Sequence, residues 1–145
     1  MFKTILVPTD GSTLSENTVK QALQFAKFIN AKVVGFHSIE PYHVFAVEPE
    51  MVSDTREVYE RDAKLRSAKY LAKVEDMARS AGVSCECISA MDDHPWQAII
   101  KTAQSKNCDL IAMASHGRRG MQGLLLGSQA AHVLTHSKIP VLIFR

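Results

Sequence analysis

Five short apolar runs alternate with four segments of helical periodicity along this chain, and this alternation constrains the fold more than any other feature. Continuous apolar runs bounded by turn residues are typical of strands that are buried on both faces of a parallel sheet. Strands that alternate with helices require right-handed crossovers, which place helices on both faces of the sheet. We therefore predict an α/β fold, with one doubly wound five-stranded parallel sheet in a single domain over residues 1–145. The predicted strands lie near 4–7, 32–39, 83–90, 109–113 and 140–144.

The size and composition of the chain suit one such domain. It has 145 residues, of which 46% are hydrophobic and 22% charged, and its formal net charge is only +2. These values are typical of a globular protein, and the lack of a dense Lys/Arg run argues against a nucleic-acid partner. No signal-peptide pattern and no apolar run of membrane-spanning length is present, so we expect a cytoplasmic protein with no membrane insertion.

The three cysteines, Cys85, Cys87 and Cys108, are odd in number and have no spacing typical of a disulfide framework. We expect each of them to be a small buried side chain.

Local signals place the ends of several helices. Thr13 and Glu16 have the spacing of a capping box that would begin the first helix. An irregular stretch is expected from 41 to about 53, followed by a long helix whose charged part, 56–73, is predicted to be a solvated face. Residues 92–94, Asp-Asp-His, are interpreted as an N-terminal helix cap rather than as a metal or acid–base group.

A glycine-rich segment from Ala114 to Ser128 connects the fourth strand to the last helix. Glycines allow main-chain N–H groups to approach an oxyanion without an intervening Cβ atom. Gly127 and Ser128 stand where the helix begins, and the free N–H groups there can hold a phosphate. The segment has neither the Gly-Lys-Ser/Thr of a Walker A loop nor the glycine spacing of a dinucleotide-binding fingerprint. On spacing alone, a phosphate-binding loop and a surface loop with turn glycines both remain open.

Segments along the whole chain resemble the universal stress protein family. Residues 5–12 resemble the opening strand of the family, 113–120 with 125–128 its nucleotide-binding loop, and 139–143 its closing strand. The loop of the ATP-binding branch reads Gly, two residues, Gly, nine residues, then Gly-Ser or Gly-Thr. Gly117 and Gly127-Ser128 match this pattern, whereas Ala114 replaces the first glycine.

This resemblance implies an adenine nucleotide alpha hydrolase-like fold with strand order 3-2-1-4-5. The first and fourth strands are then neighbours whose connections leave in opposite directions, and open α/β sheets bind ligands at such a switch point. The implied ligand is ATP, with Mg²⁺ held through the phosphates and without metal ligands from the protein. The implied ATP-binding residues are Pro8, Thr9, Asp10, Ser38, Ala114, Ser115, His116, Gly117, Arg118, Arg119, Gly120, Gly127, Ser128, Gln129 and Ala130.

Several of these residues, and two histidines, have a second interpretation. Asp10 can cap the turn that follows it, and Arg118 and Arg119 can form a solvated loop tip instead of neutralising phosphates. His132 and His136 are four residues apart, as in a metal-binding pair, but Val133 stands where a zinc protease carries Glu. We therefore expect no metal at the histidines.

No catalytic residue is assigned, because nothing in the sequence resembles a placed general base. We expect an ATP-binding stress-response regulator with little or no hydrolysis, at most a slow ATPase, acting on a downstream protein partner that the sequence does not identify.

The family resemblance and the apolar edge residues Val141, Leu142, Ile143 and Phe144 imply a homodimer through the last strand. A nucleotide-free dimeric interaction module is the alternative that Ala114 favours. An enzyme such as an adenylyl transferase would need a second catalytic motif, which we do not find.

Overall fold

The computed structural model describes residues 1–43, 49–118, 123 and 125–145, with 49–54 described by their backbone alone. Strands and helices alternate along it as predicted. The elements are β1 (Thr4–Pro8), α1 (Thr13–Ile29), β2 (Lys32–Ile39), α2 (Pro49–Ala81), β3 (Cys85–Met91), α3 (Pro95–Ser105), β4 (Leu110–Ala114), α4 (Ser128–His136) and β5 (Val141–Phe144).

The five strands form one parallel sheet in the order β3-β2-β1-β4-β5. The central strand is β1, in which Ile5 pairs with Val33 of β2 on one side and with Leu110 of β4 on the other. Helices α1 and α2 cover one face of the sheet, and α3 and α4 cover the other. The predicted doubly wound α/β fold and its strand order are therefore confirmed.

Alternating side chains of β1 enter two separate cores. Ile5 and Val7 pack beneath α1 and α2, whereas Leu6 packs beneath α3 and α4, and all three are fully buried. Full burial of one such side chain stabilises the fold by about 1.5–3 kcal/mol. A strand that is buried on both faces has to be apolar throughout, which is why its sequence reads as a continuous run.

The predicted capping box at Thr13 and Glu16 is wrong. Ser12 is the N-cap of α1, and its hydroxyl accepts a hydrogen bond from the Ser15 N–H at 3.2 Å. The extended backbone of Ser12 places its side chain in front of the first turn, which Thr13 inside the helix cannot do. The Glu16 carboxylate instead accepts a hydrogen bond from Lys73 Nζ of α2 at 2.6 Å.

Two other boundaries differ from the expectation. Helix α2 begins at Pro49, within the stretch that was predicted to be irregular up to about residue 53. Strand β4 extends to Ala114, which pairs with Phe144, so Ala114 belongs to the sheet rather than to the loop. None of the helices in the described part of the chain, including the 33-residue α2, is long and apolar enough to cross a membrane.

Candidate functional site

A cavity of about 540 Å³ opens at the carboxyl edge of the sheet, where β1, β2 and β4 end. Parallel strands all end at one edge, so the residues that follow them meet there. The chain leaves β1 for a helix on one face and leaves β4 for a helix on the other, which makes this edge the switch point of the sheet. The volume lies within the range of small-molecule sites.

The predicted nucleotide-binding residues that the structure describes all line this cavity. They come from three places in the chain, namely 8–10 at the end of β1, Ser38 near the end of β2, and the segments 114–118 and 127–130, which contain the two ends of the glycine-rich loop. Arg119 and Gly120 lie outside the described residues. The fold thus brings the set together, while the binding of a nucleotide by these residues stays a prediction.

Two buried polar atoms of the cavity residues have no hydrogen-bond partner in the described part of the chain, namely Ser38 Oγ and His116 Nε2. The other ring nitrogen of His116, Nδ1, lies 3.1 Å from Ser115 Oγ, which fixes the ring. Buried polar atoms are nearly always hydrogen-bonded, because an unsatisfied one costs about 1–3 kcal/mol. Both residues line the cavity, so two unsatisfied polar atoms lie at its wall.

Asp10 joins the loop after β1 to the loop after β4. Its Oδ1 accepts a hydrogen bond from the Ser12 N–H at 2.9 Å, and its Oδ2 accepts one from the Arg118 N–H. A Cβ atom on Gly117 would lie 2.7 Å from Asp10 Oδ2, so this approach requires glycine. The turn-capping interpretation of Asp10 is correct, and the same carboxylate also holds the glycine-rich loop.

The glycine-rich loop closes on itself at the start of α4. Gly127 is the N-cap, its N–H donates to the Ser115 carbonyl at 2.6 Å, and as a glycine it offers the helix no side-chain cap. A Cβ atom at this position would lie 3.2 Å from Ser115 O and 3.3 Å from His116 Cα, which explains the glycine. The N–H groups of the first turn lack acceptors within the helix and lie at its positive end. This arrangement can bind an anion such as a phosphate.

Gln129 lines the cavity and also makes a hydrogen bond that supports the fold. Its Oε1 accepts a hydrogen bond from the Trp96 N–H at 3.0 Å, near the start of α3. The predicted cap at 92–94 is not formed as expected: Asp92 accepts a bond from the His94 N–H at 2.9 Å, which closes the turn before the helix. His94 is itself the N-cap residue and makes no side-chain capping bond, so part of the capping comes from α4 instead.

Helix α2 forms one wall of the cavity through Tyr59, Ala63, Arg66 and Tyr70. The prediction that 56–73 is only a solvated face is therefore wrong for these residues. They recur at intervals of three and four, which is the spacing of one helix face, and this signal was present in the sequence. The Arg118 guanidinium lies 5.9 Å above the Tyr70 ring and donates to its hydroxyl at 3.3 Å, so α2 also contacts the glycine-rich loop.

His37, near the end of β2, is a second cavity residue that the sequence did not single out. Its Nδ1 lies 2.8 Å from Ser67 Oγ of α2, a hydroxyl whose residue is only 1% exposed. Burial lowers the pKa of His37 from 6.5; the charge of Asp10 opposes this shift, and those of Arg66 and Arg118 add to it. At neutral pH the cavity therefore contains an uncharged imidazole near two guanidinium groups.

His132 and His136 are partners of an aromatic side chain. Both rings stack on Trp96, with centroid distances of 5.3 and 4.5 Å, and His136 Nδ1 lies 2.8 Å from the His132 carbonyl. Across the part of the chain that the structure describes, no three His, Cys, Asp or Glu side chains are grouped so that they could hold a metal ion.

Sequence comparison identifies relatives along the whole chain. The model of the universal stress protein family matches residues 1–145. Universal stress protein MJ0531 of Methanocaldococcus jannaschii is 30% identical over 145 residues, which is all of this chain and 83% of that protein. The universal stress protein in the QAH/OAS sulfhydrylase 3' region of Thermus aquaticus is 32% identical over 145 residues, which covers both proteins completely.

Solved structures of similar proteins share the fold. The structure of MJ0577, a universal stress protein of Methanocaldococcus jannaschii, matches with a TM-score of 0.84 at 26% identity, over 99% of this chain and 95% of that chain. A universal stress protein in complex with cAMP matches with a TM-score of 0.73 at 28% identity, over 99% of this chain and 97% of that chain. The family model, the relatives and the fold agree with the resemblance seen in the sequence, and the chain belongs to the universal stress protein family.

Proposed function

We propose that this protein binds ATP in the cavity at the carboxyl ends of β1 and β4 and acts as a dimeric stress-response regulator with little or no hydrolysis. The observation that carries the proposal is the pair of buried atoms without partners among the described residues, Ser38 Oγ and His116 Nε2. Ser38 lies near the end of β2 and His116 follows β4, so they belong to different walls of the cavity. A polar ligand between these walls would give both atoms a partner once the two side chains turn toward it.

The remaining lining suits the two halves of a nucleotide. Ile39 and Ile99 are apolar residues of the lining, and with Ser38 they fit a base with polar edges. Across the cavity, the uncapped start of α4 and the Arg118 guanidinium supply positive charge, which fits phosphates. The relative in complex with cAMP, an adenine nucleotide, supports the same class of ligand here.

The proposal of a triphosphate with a bound metal depends on the glycine-rich loop. Gly117 and Gly127-Ser128 keep the spacing of the ATP-binding branch, and the structure brings Gly117 and Gly127 together around Ser115. Mg²⁺ would be held by phosphate oxygens, because both oxygens of Asp10 already accept main-chain N–H groups.

We expect hydrolysis to be slow at most. A fast ATPase positions a group that orients or deprotonates the attacking water. Of the carboxylates that line the cavity, Asp10 lies beside the glycine-rich loop, and it holds two loops together through its two oxygens. Such a site suits a protein that binds ATP and presents the bound state to a partner protein.

The proposed dimer forms through β5, which ends the sheet. Ile111 N–H donates to the Pro140 carbonyl at 3.0 Å and Ser115 N–H to the Phe144 carbonyl at 2.8 Å. Pro140 and Phe144 thus direct their main-chain carbonyls toward β4. Because the main-chain groups alternate in direction along a strand, those of Val141 and Ile143 point away from β4. Among the described strands β5 pairs only with β4, and such an edge can pair with a second copy.

Equilibrium dialysis against ATP tests the binding proposal, with Ser38→Ala as the diagnostic variant and Ser89→Ala as its matched control. Ser89 is an exposed serine on the neighbouring strand β3, so its hydroxyl lies outside the cavity lining. We expect ATP to bind the wild type and Ser89→Ala equally, and Ser38→Ala to bind about tenfold more weakly through the loss of one hydrogen bond. Stability without nucleotide should be unchanged or higher in Ser38→Ala, because the lost hydroxyl has no partner there. If the wild type binds no ATP at millimolar concentration, the nucleotide-free interaction module that Ala114 favours is correct instead.

A further inference from the structure

Cys85 and Cys87 lie side by side on β3, the other edge strand of the sheet, with their sulfur atoms 3.9 Å apart. Side chains two positions apart on a strand point to the same face, and this pair lies on the face that α2 covers. Both thiols are free and half-buried, whereas Cys108 is only 5% exposed. The prediction of three small buried side chains is therefore correct for Cys108 and wrong for this pair.

The neighbouring strand leaves room for the sulfur of Cys87. Gly35 of β2 is the register partner of Cys87, and a Cβ atom on Gly35 would lie 2.9 Å from Cys87 Sγ. On the helix side, Cys87 Sγ lies 3.6 Å from the Leu71 carbonyl of α2. The two sulfurs thus occupy a slot between the edge strand and the helix, with Cys85 at its end.

The two thiols have different acidities. The contact with Cys87 lowers the pKa of Cys85 against the opposing effect of burial, and the same contact raises the pKa of Cys87. The first proton is therefore lost at Cys85. The thiolate is the nucleophilic form of cysteine, so Cys85 is the reactive member.

We propose that Cys85 and Cys87 form a modification site that a hydroperoxide oxidises to an intrastrand disulfide. The Cys85 thiolate attacks the peroxide, the O–O bond breaks, and the departing oxygen takes a proton from the solvent. The products are a sulfenic acid on Cys85 and an alcohol or, from hydrogen peroxide, water. Cys87 then attacks the Cys85 sulfur, the S–S bond forms, and the leaving hydroxide takes the thiol proton as water. One peroxide thus consumes two thiols.

The strand geometry makes this disulfide reversible. Two residues of a strand span about 6.4–6.8 Å, the upper end of the Cα separation that disulfides accept, and their parallel Cβ atoms lie farther apart than the roughly 3.5–4.5 Å of a disulfide. The bond therefore requires the edge strand to bend locally, which strains it. Strained and accessible disulfides are reduced more readily than structural ones. The site is therefore expected to return to the dithiol when a small thiol is added.

Intact mass spectrometry of the full chain, treated with one equivalent of hydrogen peroxide, tests this proposal. We expect a monomer that has lost two hydrogen atoms, a peptide map that links Cys85 to Cys87, and recovery of the original mass in millimolar dithiothreitol. Cys108 is the internal control: burial raises its pKa to about 11, so it should stay reduced, and Cys108→Ala should react like the wild type. Cys85→Ser and Cys87→Ser should each abolish the two-hydrogen loss. Addition of oxygen atoms to Cys85 without that loss in the wild type, or formation only of disulfides between chains, would overturn the proposal.

Discussion

The carboxylate of Asp10 accepts a hydrogen bond from the main-chain N–H of Arg118, a residue 108 positions further along the chain. The contact is reinforced in the other direction, because the Arg118 guanidinium donates to the Asp10 carbonyl at 3.3 Å and to the Tyr70 hydroxyl at 3.3 Å. The loop after β1, the loop after β4 and helix α2 therefore meet around one acidic residue. This junction fixes the position of the glycine-rich loop relative to the strand ends.

Replacing Asp10 by Ala should loosen this junction. Hydrogen bonds to a charged group contribute about 1.5–3 kcal/mol, so we expect unfolding by urea to show a loss of about 1–3 kcal/mol in stability. ATP affinity in dialysis should fall by about tenfold or more, because the loop is no longer held at the cavity. Asp93→Ala is the control, since Asp93 also lines the cavity but is exposed and contacts only His43, at 3.0 Å, among the partners that the structure describes. Wild-type ATP affinity in Asp10→Ala would show that the junction does not position the binding loop.

The buried His37 should make the stability depend on pH. Its pKa is lowered in the folded protein, so the unfolded chain binds more protons once the pH falls through 6.5. Stability should therefore decrease with falling pH from about 6.5 down to the pKa of the folded state. His37→Asn removes the titration while keeping a side chain that can contact Ser67. We expect the melting temperature of this variant to fall less than that of the wild type between neutral pH and pH 5.5. An equal fall in the melting temperature of the two proteins over this pH range would assign the pH dependence to other groups.

Much of the fold could be predicted because single residues in the sequence already show which faces of a strand are buried. Leu6, which is fully buried, stands between Ile5 and Val7, so β1 is apolar on both faces and only a covered parallel strand suits it. The cavity lining after β1 and β4 was predictable for a related reason, since turn residues and glycines follow those strands directly. The ligand that we propose, ATP, was expected from the family resemblance rather than from these patterns.

The contribution of α2 to the site was missed for a physical reason. The spacing of Arg66 and Tyr70 places them on one helix face, but the many charged residues of α2 do not show that this face meets the sheet edge. The roles of Ser38 and Cys87 were missed for the same reason, because each role depends on the residues that lie opposite in the folded chain. Ser38 Oγ has no partner among the described residues and Cys87 faces a glycine, and only the tertiary structure places these neighbours.

The edge strand β5 provides a test of the proposed dimer. Ile143→Pro removes the N–H that we infer to face away from β4, while the inward hydrogen bonds to β4 are kept. Ile143→Ala is the matched control, since it loses the same packing but keeps the N–H. In sedimentation velocity we expect the wild type and Ile143→Ala to be dimers and Ile143→Pro to be a monomer at the same concentration. A dimeric Ile143→Pro protein with a normal melting temperature would place the contact elsewhere.

A crystal structure of the protein grown with ATP tests the central claim most directly. The nucleotide should occupy the cavity at the ends of β1 and β4, with ligand atoms about 2.7–3.2 Å from Ser38 Oγ and His116 Nε2. Its phosphates should lie against the first turn of α4. A cavity that stays empty at saturating ATP, or a nucleotide that leaves both atoms without a partner, would contradict the account.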